Sequence, residues 1–200
     1  MGGVRMVDGE LVVDRRLNEL DRLALSFSSI LDDLDIGHVF VSGYVALLAG
    51  RARSTEDIDV ILEPLDDETV DRLVDRLVEA KLWGPAMPLE TLHDVEHDHI
   101  WVARTDEIAP RLDVKFADDR FDRSSLENRF DARLSTADAT LPIGPLELQI
   151  AYKLWMVGQR DFEDALYLYD LLGETLSTPE LEHWVDELEV HEAYDRLRSA

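Results

Sequence analysis

The stretch from Phe40 to Leu62 constrains the fold more than any other part of this chain of 200 residues. It reads FVSGYVALLAGRARSTEDIDVIL: a β-type run, a segment with the length of a two-turn helix, and a second β-type run. The gap of roughly 14 residues between Gly43 and Asp57 suits a short helix and a return loop, so the second strand can lie beside the first. The pattern therefore predicts a sheet with a short connecting helix.

The second run carries two carboxylates, Asp57 and Asp59. Residues two apart on a strand share a face, so both carboxylates can bind one hard divalent cation. A third acid, Asp113, lies between apolar neighbours in the β-type run RLDVKF and is the expected third ligand. The spacing alone is weak evidence in a chain this rich in Asp, because two ordinary edge charges would look the same; Asp33 and Asp35 form a similar pair, which we interpret as solvated surface.

A Ser-Gly corner precedes the short helix, at Ser42 and Gly43. Backbone N–H groups at a helix start, together with the helix dipole, favour a phosphate group, and a glycine lets the phosphate approach the main chain. Phosphoryl and nucleotidyl transfer require a phosphate site beside metal-binding carboxylates. The corner and the carboxylates together therefore indicate this class of chemistry.

Hydrophobic periodicity assigns the rest of the chain. It predicts an amphipathic helix over 14–34 with Asp14 as its N-cap, a helix over 66–82, and further strands over 99–103 and 111–116. After the turn LPIGP at 141–145 the pattern is helical. We therefore predict an α+β fold, with a mixed β-sheet domain flanked by helices over residues 1–140 and a small C-terminal helical domain over residues 141–200.

The charge is strongly negative, at −24, from 44 acidic against 20 basic residues, and the acids are dispersed along the chain. This resembles proteins of halophilic archaea, where molar salt shortens the Debye length to about 3 Å and screens self-repulsion. An acidic surface that docks a basic partner is the alternative. Nonspecific nucleic-acid binding is disfavoured, because phosphate contacts need clustered Lys and Arg.

Three features that bear on compartment and redox chemistry are missing from the sequence: a membrane-spanning run, a secretory signal and cysteine. No apolar run approaches the roughly 20 residues that span a bilayer, and the first residues, MGGVRMVDGE, lack the apolar centre of a secretory signal. We therefore expect a cytoplasmic protein without a membrane partner. The chain has no Cys, which excludes disulfides, thiolate metal sites and a cysteine nucleophile.

The dispersed acidity leads to a prediction about stability. We expect the melting temperature to rise as potassium chloride increases from dilute to molar, because the added ions screen repulsion among the carboxylates. Thermal melts followed by circular dichroism over this range test it. A melting temperature that is flat or falls with salt would contradict the interpretation as a halophilic protein.

The motifs together resemble the DNA polymerase β nucleotidyltransferase superfamily. The likeness is closest to the minimal and AbiE-type nucleotidyltransferases of prokaryotic toxin-antitoxin systems. These show a glycine pair, then G-x-R-x-T-x-D-h-D with h apolar, a later h-D-h, and a helical Lys followed by R-D-x-x-D. The corresponding segments here read SG, GRARSTEDID, LDV, and YKLWMVGQRDFED, within the span from Val39 to Leu172.

This resemblance implies a nucleotidyltransferase fold and transfer of a nucleoside monophosphate from an NTP to a hydroxyl of a protein or a tRNA, with Mg²⁺ or Mn²⁺. A cognate toxin or antitoxin protein is an implied partner. It also implies catalytic metal ligands and nucleotide-binding residues. The ligands are Asp57, Asp59 and Asp113, and the nucleotide-binding set is Ser42, Gly43, Arg53, Thr55, Lys153, Asp161 and Asp164.

One departure from the family pattern is Ser42, where the family usually has Gly. A side chain at this crowded corner can impair nucleotide binding. The second hypothesis is therefore a catalytically weak or inactive nucleotide- or partner-binding module, such as an antitoxin-like subunit. The third is an unrelated metal-binding scaffold whose acids serve solubility alone.

Two further groups have alternative interpretations. Asp161 and Asp164 are neighbours on one helix face, and can equally be a capping acid and a solvated acid. His93, His97 and His99 lie among acids, a composition that suits zinc or manganese. No regular element places all three histidines on one face, so a solvated loop is favoured.

Overall fold

The structure is a computed structural model that describes residues 3–94, without the side chain of residue 94, and residues 99–200. Within these residues the strands are β1 Val4–Val7, β2 Glu10–Val13, β3 His38–Val41, β4 Asp57–Leu62, β5 Leu82–Trp83, β6 Ile100–Arg104, β7 Arg111–Phe116, β8 Phe130–Leu134 and β9 Ala139–Ile143. The helices are α1 Glu19–Asp33, α2 Ser42–Leu48, α3 Asp67–Glu79, α4 Arg120–Glu127, α5 Leu146–Trp155, α6 Gln159–Leu172, α7 Thr178–Glu187 and α8 His191–Arg198, with a 3₁₀ helix at Leu89–Asp94.

The described strands form one mixed sheet in the order β1-β2-β8-β9-β3-β4-β7-β6-β5. At its centre β3 runs antiparallel to β4, and β4 runs parallel to β7. The short helix α2 connects β3 to β4, as the sequence pattern predicts. The predicted α+β class with a mixed sheet flanked by helices is confirmed.

Strand β4 shows how the sheet separates a core face from a polar face. Ile58, Val60 and Leu62 are buried in the main hydrophobic core, which also contains apolar residues of α1 and α3. Residues of opposite parity point to the other side of a strand. Asp57 and Asp59 therefore lie on the face that α4 and α5 partly cover.

A second core holds the C-terminal helices together. It contains buried residues of α5 to α8, such as Ile150, Leu168 and Tyr194, and it includes Ala49 from the end of α2. The helical part of the chain is thereby attached to the β3-α2-β4 unit. No helix in the described part of the chain is both long and apolar enough to cross a membrane.

The structure corrects the expected start of α1 and adds elements that were not predicted. Helix α1 is capped by Asn18, whose side chain accepts the Asp21 N–H in a reciprocal capping box, rather than by Asp14. Strands β1, β2, β8 and β9 and helix α4 were not predicted, because these segments are short and their pairing partners are distant in sequence.

Candidate active site

The register of two central strands brings two of the predicted metal ligands together. Asp59 of β4 lies directly opposite Asp113 of β7 in the parallel pair, and neighbouring strands are about 4.8 Å apart. On the other side of β4, Val41 pairs with Asp59, which places the Ser42 corner beside the same carboxylate. Segments 71 residues apart (113 − 42) thus meet at one point of the sheet.

A cleft of about 230 Å³ opens on this face of the sheet. The sheet forms its floor, and α4 and α5 form its walls. The charged and polar side chains along it come from two strands, three helices and the segment before β6. They are Ser42, Asp59, His99, Asp113, Lys115, Asp122, Ser125, Gln149, Tyr152 and Lys153.

The carboxyl group of Asp59 has a raised pKa in the cleft. Burial, and after it the nearby charges of Asp57 and Asp113, together raise the pKa of its carboxyl to about 6. A hydrogen bond from the Ser42 side chain and the charge of Lys153 oppose this effect only in part. The site thus holds more negative charge than its own cations balance, which is the condition that a bound divalent cation would relieve.

The other two predicted ligands are held by neighbours. The Asp57 carboxylate accepts a hydrogen bond from Thr55 Oγ1 and lies 3.9 Å from Arg111 Nη2. Asp113 Oδ1 lies 2.9 Å from His99 Nδ1. Asp57, Asp59 and Asp113 therefore share a face and interact electrostatically, but in the described residues they do not form a cluster with all ligand atoms within 4.8 Å.

The group that does meet this spacing, among the described residues, is Asp118, Asp119 and Asp122. Its members have structural partners. Asp119 caps α4 by accepting the N–H groups of Phe121 and Asp122 at 2.7 and 2.8 Å. Asp122 and Asp118 lie 2.7 and 3.9 Å from Lys115 Nζ. These contacts account for the cluster without a metal ion.

The Ser42-Gly43 corner is occupied by protein groups. Ser42 adopts a left-handed backbone conformation with φ of 61°, a region that favours glycine. Its N–H donates to Gln149 Oε1 at 2.8 Å. A Cβ at Gly43 would lie 3.0 Å from the Arg53 guanidinium, so in this structure the space left by the glycine accommodates Arg53 rather than an open phosphate approach.

Asp164 binds three cations. Its side chain is fully buried, and its Oδ2 accepts hydrogen bonds from Lys153 Nζ at 2.9 Å and from Arg53. Its Oδ1 forms an ion pair with the Arg51 guanidinium. The interpretation of Asp164 as a solvated acid is therefore wrong. Lys153 is 2% exposed, and its Nζ also lies 3.4 Å from Asp161 at the start of α6. This arrangement, hereafter the Asp164 cluster, joins α5 and α6 to the loop before β4.

Sequence reasoning missed three residues of this region. Lys115 could have been found, because it lies two residues after Asp113 on the same strand face. Arg51 follows the same spacing from Arg53, but its partner Asp164 is 113 residues away (164 − 51). Gln149 carries no local signal, since only the packing of α5 brings it to Ser42.

The two described histidines of the histidine-rich segment, His93 and His99, lie in different surroundings. His93 Nε2 lies 2.9 Å from Asp71 Oδ1 at the surface of α3. His99 lies in the loop before β6 with a side chain that is 47% exposed, as expected, and it also lies beside Asp113 and lines the cleft. His97 lies outside the described residues.

Two solved structures share the architecture of this chain. An antigenic nucleotidyltransferase-like protein from Paracoccidioides brasiliensis aligns over 90% of this chain and 92% of its own, with a TM-score of 0.56 and 15% identity. This chain has a nucleotidyltransferase-like fold. The antibiotic-resistance factor ANT(2'')-Ia aligns over 91% of this chain and 98% of its own, with a TM-score of 0.53 and 15% identity. No model of a known protein family and no curated protein matches the sequence.

Proposed function

We propose that the chain is a metal-dependent nucleotidyltransferase that moves a nucleoside monophosphate from an NTP to a hydroxyl group. The observation that carries the proposal is the register of Asp59 opposite Asp113, beside the Ser42 corner and at the floor of a cleft. The nucleotidyltransferase-like fold supports it. Residues 1–140 would form the transferase domain and residues 141–200 a helical domain that supplies the opposite wall of the cleft.

The donor set fits Mg²⁺ or Mn²⁺. Asp57, Asp59 and Asp113 offer hard oxygen ligands, and the raised pKa of Asp59 marks an excess of negative charge that a divalent cation would neutralise. Such ions, when bound, neutralise charge on the triphosphate and on the departing pyrophosphate. The chain's own residues would then orient the substrate groups around them.

Cations at the rim of the cleft are proposed to bind the triphosphate. Lys153 lines the cleft, and Arg53 lies over Gly43; both are fixed by Asp164. Asp164 therefore acts in this proposal by positioning Lys153 and Arg53, and Asp161 supports Lys153. Ser42 would contact the phosphates through its hydroxyl. Its N–H would also contact them after its hydrogen bond to Gln149 breaks.

The acceptor side is proposed at Asp113. Its carboxylate would lie nearest the attacking hydroxyl and accept the proton as the new phosphodiester bond forms and the bond to pyrophosphate breaks. A protein or a tRNA can supply the hydroxyl, and the dispersed acidity favours a protein with a basic surface. A cognate toxin or antitoxin is the partner that the sequence resemblance suggests.

A second candidate function is a nucleotide- or partner-binding module without turnover. The observation that favours it is the occupied corner: Gln149 accepts the Ser42 N–H, and Arg53 covers Gly43. In this alternative the wild type binds an NTP but transfers nothing to tRNA or protein acceptors. Transfer of labelled nucleotide to an acceptor would favour the enzyme, and binding without transfer would favour the module.

The role of Lys153 gives a direct test of nucleotide binding. We expect Lys153→Ala to weaken NTP binding by roughly tenfold to a hundredfold, because a partly desolvated charge-assisted contact contributes about 1.5–3 kcal/mol. Calorimetric titration with each NTP and Mg²⁺, in molar potassium chloride, measures the dissociation constants.

Lys81→Ala is the matched control, because Lys81 is an exposed lysine outside the cleft. Its affinity for NTP should equal that of the wild type. Equal affinities of the wild type and Lys153→Ala would assign Lys153 to the Asp164 cluster alone. A wild type that binds no NTP would contradict the proposed function and leave the fold unaffected.

A further inference from the structure

We infer that His99 is a fourth ligand of the metal site and gives this site a preference for Mn²⁺ over Mg²⁺. The inference rests on the proposed function, since it assigns a further residue to the same ion. It concerns a residue that the sequence pattern placed in a solvated loop. The supporting observations are the position of His99, one interatomic distance and the chemistry of imidazole.

The start of β6 fixes the position of His99. His99 directly precedes β6, and Trp101 of that strand pairs with Asp113 in the antiparallel β6-β7 ladder. The ring turns into the cleft, where His99 lines the same cavity as Asp59 and Asp113. Its side chain is 47% exposed, so an ion arriving from solvent can reach it.

The distance between His99 Nδ1 and Asp113 Oδ1 is 2.9 Å. Two ligand atoms that each lie about 2.1 Å from one ion, at a right angle, are about 3.0 Å apart. The pair therefore already has the separation of two adjacent ligands in an octahedral shell. A neutral imidazole presents a nitrogen lone pair to the ion, and Asp113 presents a carboxylate oxygen.

The mixed donor set determines the metal preference. Mg²⁺ favours oxygen ligands and water, whereas imidazole nitrogen suits transition metals such as Mn²⁺. An imidazole added to carboxylate ligands should therefore discriminate between these ions more than carboxylates alone. In the absence of metal, the same contact holds the Asp113 side chain in the cleft.

His93 provides a matched control within the same chain. It is also a histidine beside carboxylates, with Nε2 2.9 Å from Asp71 and Nδ1 3.5 Å from Asp67. Those acids belong to α3 rather than to the β4-β7 face. His93→Ala therefore removes a histidine that lies near two acids but outside the proposed metal site. Any effect seen only in His99→Ala can then be assigned to the metal site.

The test uses Mn²⁺ alone, added to the metal-free full chain at pH 8 in molar potassium chloride. Pulsed electron paramagnetic resonance detects a ¹⁴N nucleus bound directly to Mn²⁺, and calorimetry gives the affinities for Mn²⁺ and Mg²⁺. We expect a nitrogen coupling in the wild type and in His93→Ala, and none in His99→Ala. We also expect His99→Ala to bind Mn²⁺ about tenfold more weakly or worse, with a smaller change for Mg²⁺.

The outcomes separate the inference from the proposed function. Mn²⁺ bound in the wild type without nitrogen coupling would overturn the role of His99 as a ligand and leave the carboxylate site standing. Nitrogen coupling that survives in His99→Ala would overturn it as well. A wild type that binds neither ion, alone or with ATP, would contradict the metal site of the proposed function itself. Thermal melts of both variants establish that they are folded.

Discussion

Asp59→Asn should abolish Mg²⁺-dependent nucleotide transfer while leaving the protein folded. We expect a loss of more than about a hundredfold in rate, since even the loss of an outer-shell partner of a metal ligand costs 10–100-fold. The reason is that Asp59 is the carboxylate in the middle of the site, with Asp113 opposite and Asp57 two residues away. A transfer assay with labelled NTP measures the effect.

The same substitution should stabilise the metal-free protein. The pKa of Asp59 is raised to about 6 in the folded state, so the folded state binds more protons than the unfolded state between about pH 4 and 6. The stability of the wild type therefore falls as the pH rises through this window. Asp59→Asn lacks this loss, and its free energy of unfolding above pH 6 should exceed that of the wild type by about 3 kcal/mol.

Urea unfolding of both proteins with a chelator present, at pH 4 and pH 7, tests whether the variant is the more stable one at the higher pH. Asp33→Asn is the control, because Asp33 belongs to the other D-x-D pair and contacts Arg76 at the surface. It should change neither transfer nor the pH dependence. Full transfer activity in Asp59→Asn would refute the assignment of the catalytic centre, whatever its stability.

Asp164→Ala should destabilise the protein by about 3–5 kcal/mol, the usual cost of removing one partner from a buried ionic group. Three cations, Arg51, Arg53 and Lys153, would lose their shared carboxylate, and Lys153 is 2% exposed. The free energy of unfolding, from urea titration in molar potassium chloride, measures this loss.

Glu163→Ala is the matched control for Asp164→Ala. Glu163 also binds Arg51, at 2.9 Å, but its side chain is 49% exposed. Exposed ion pairs contribute about 0–1 kcal/mol, so this variant should remain close to the wild type. Similar losses in the two variants would show that the Asp164 cluster is not the anchor between α6 and the loop before β4.

Local sequence patterns were sufficient for the centre of the fold. The β3-α2-β4 unit is predictable because its apolar runs, its Ser-Gly corner and its short connection lie within one continuous stretch. The shared face of Asp57 and Asp59 follows from the two-residue period of a strand. Asp113 was recognisable as an acid between apolar neighbours, although its exact position opposite Asp59 was not.

The edges of the sheet were not predictable in this way. Strands β1 and β2 at one edge depend on parallel pairing with β8, more than 100 residues away. Strands of four or five residues have too few positions to show a period, so their pairing partners decide whether they form. The start of α1 at Asn18 likewise depended on which polar side chain completed a capping box.

The sequence by itself determined which chemical groups are present: carboxylates in a strand, a corner at Ser42, and cations in the loop before β4 and in α5. Only the tertiary structure decided how they are used. The packing of α5 places Gln149 where it accepts a hydrogen bond from the Ser42 N–H. The packing of α6 places Asp164 among three cations. The β6-β7 ladder brought His99 to Asp113. These contacts join residues that are distant along the chain, and a local pattern carries no information about which of several possible partners long-range packing will select.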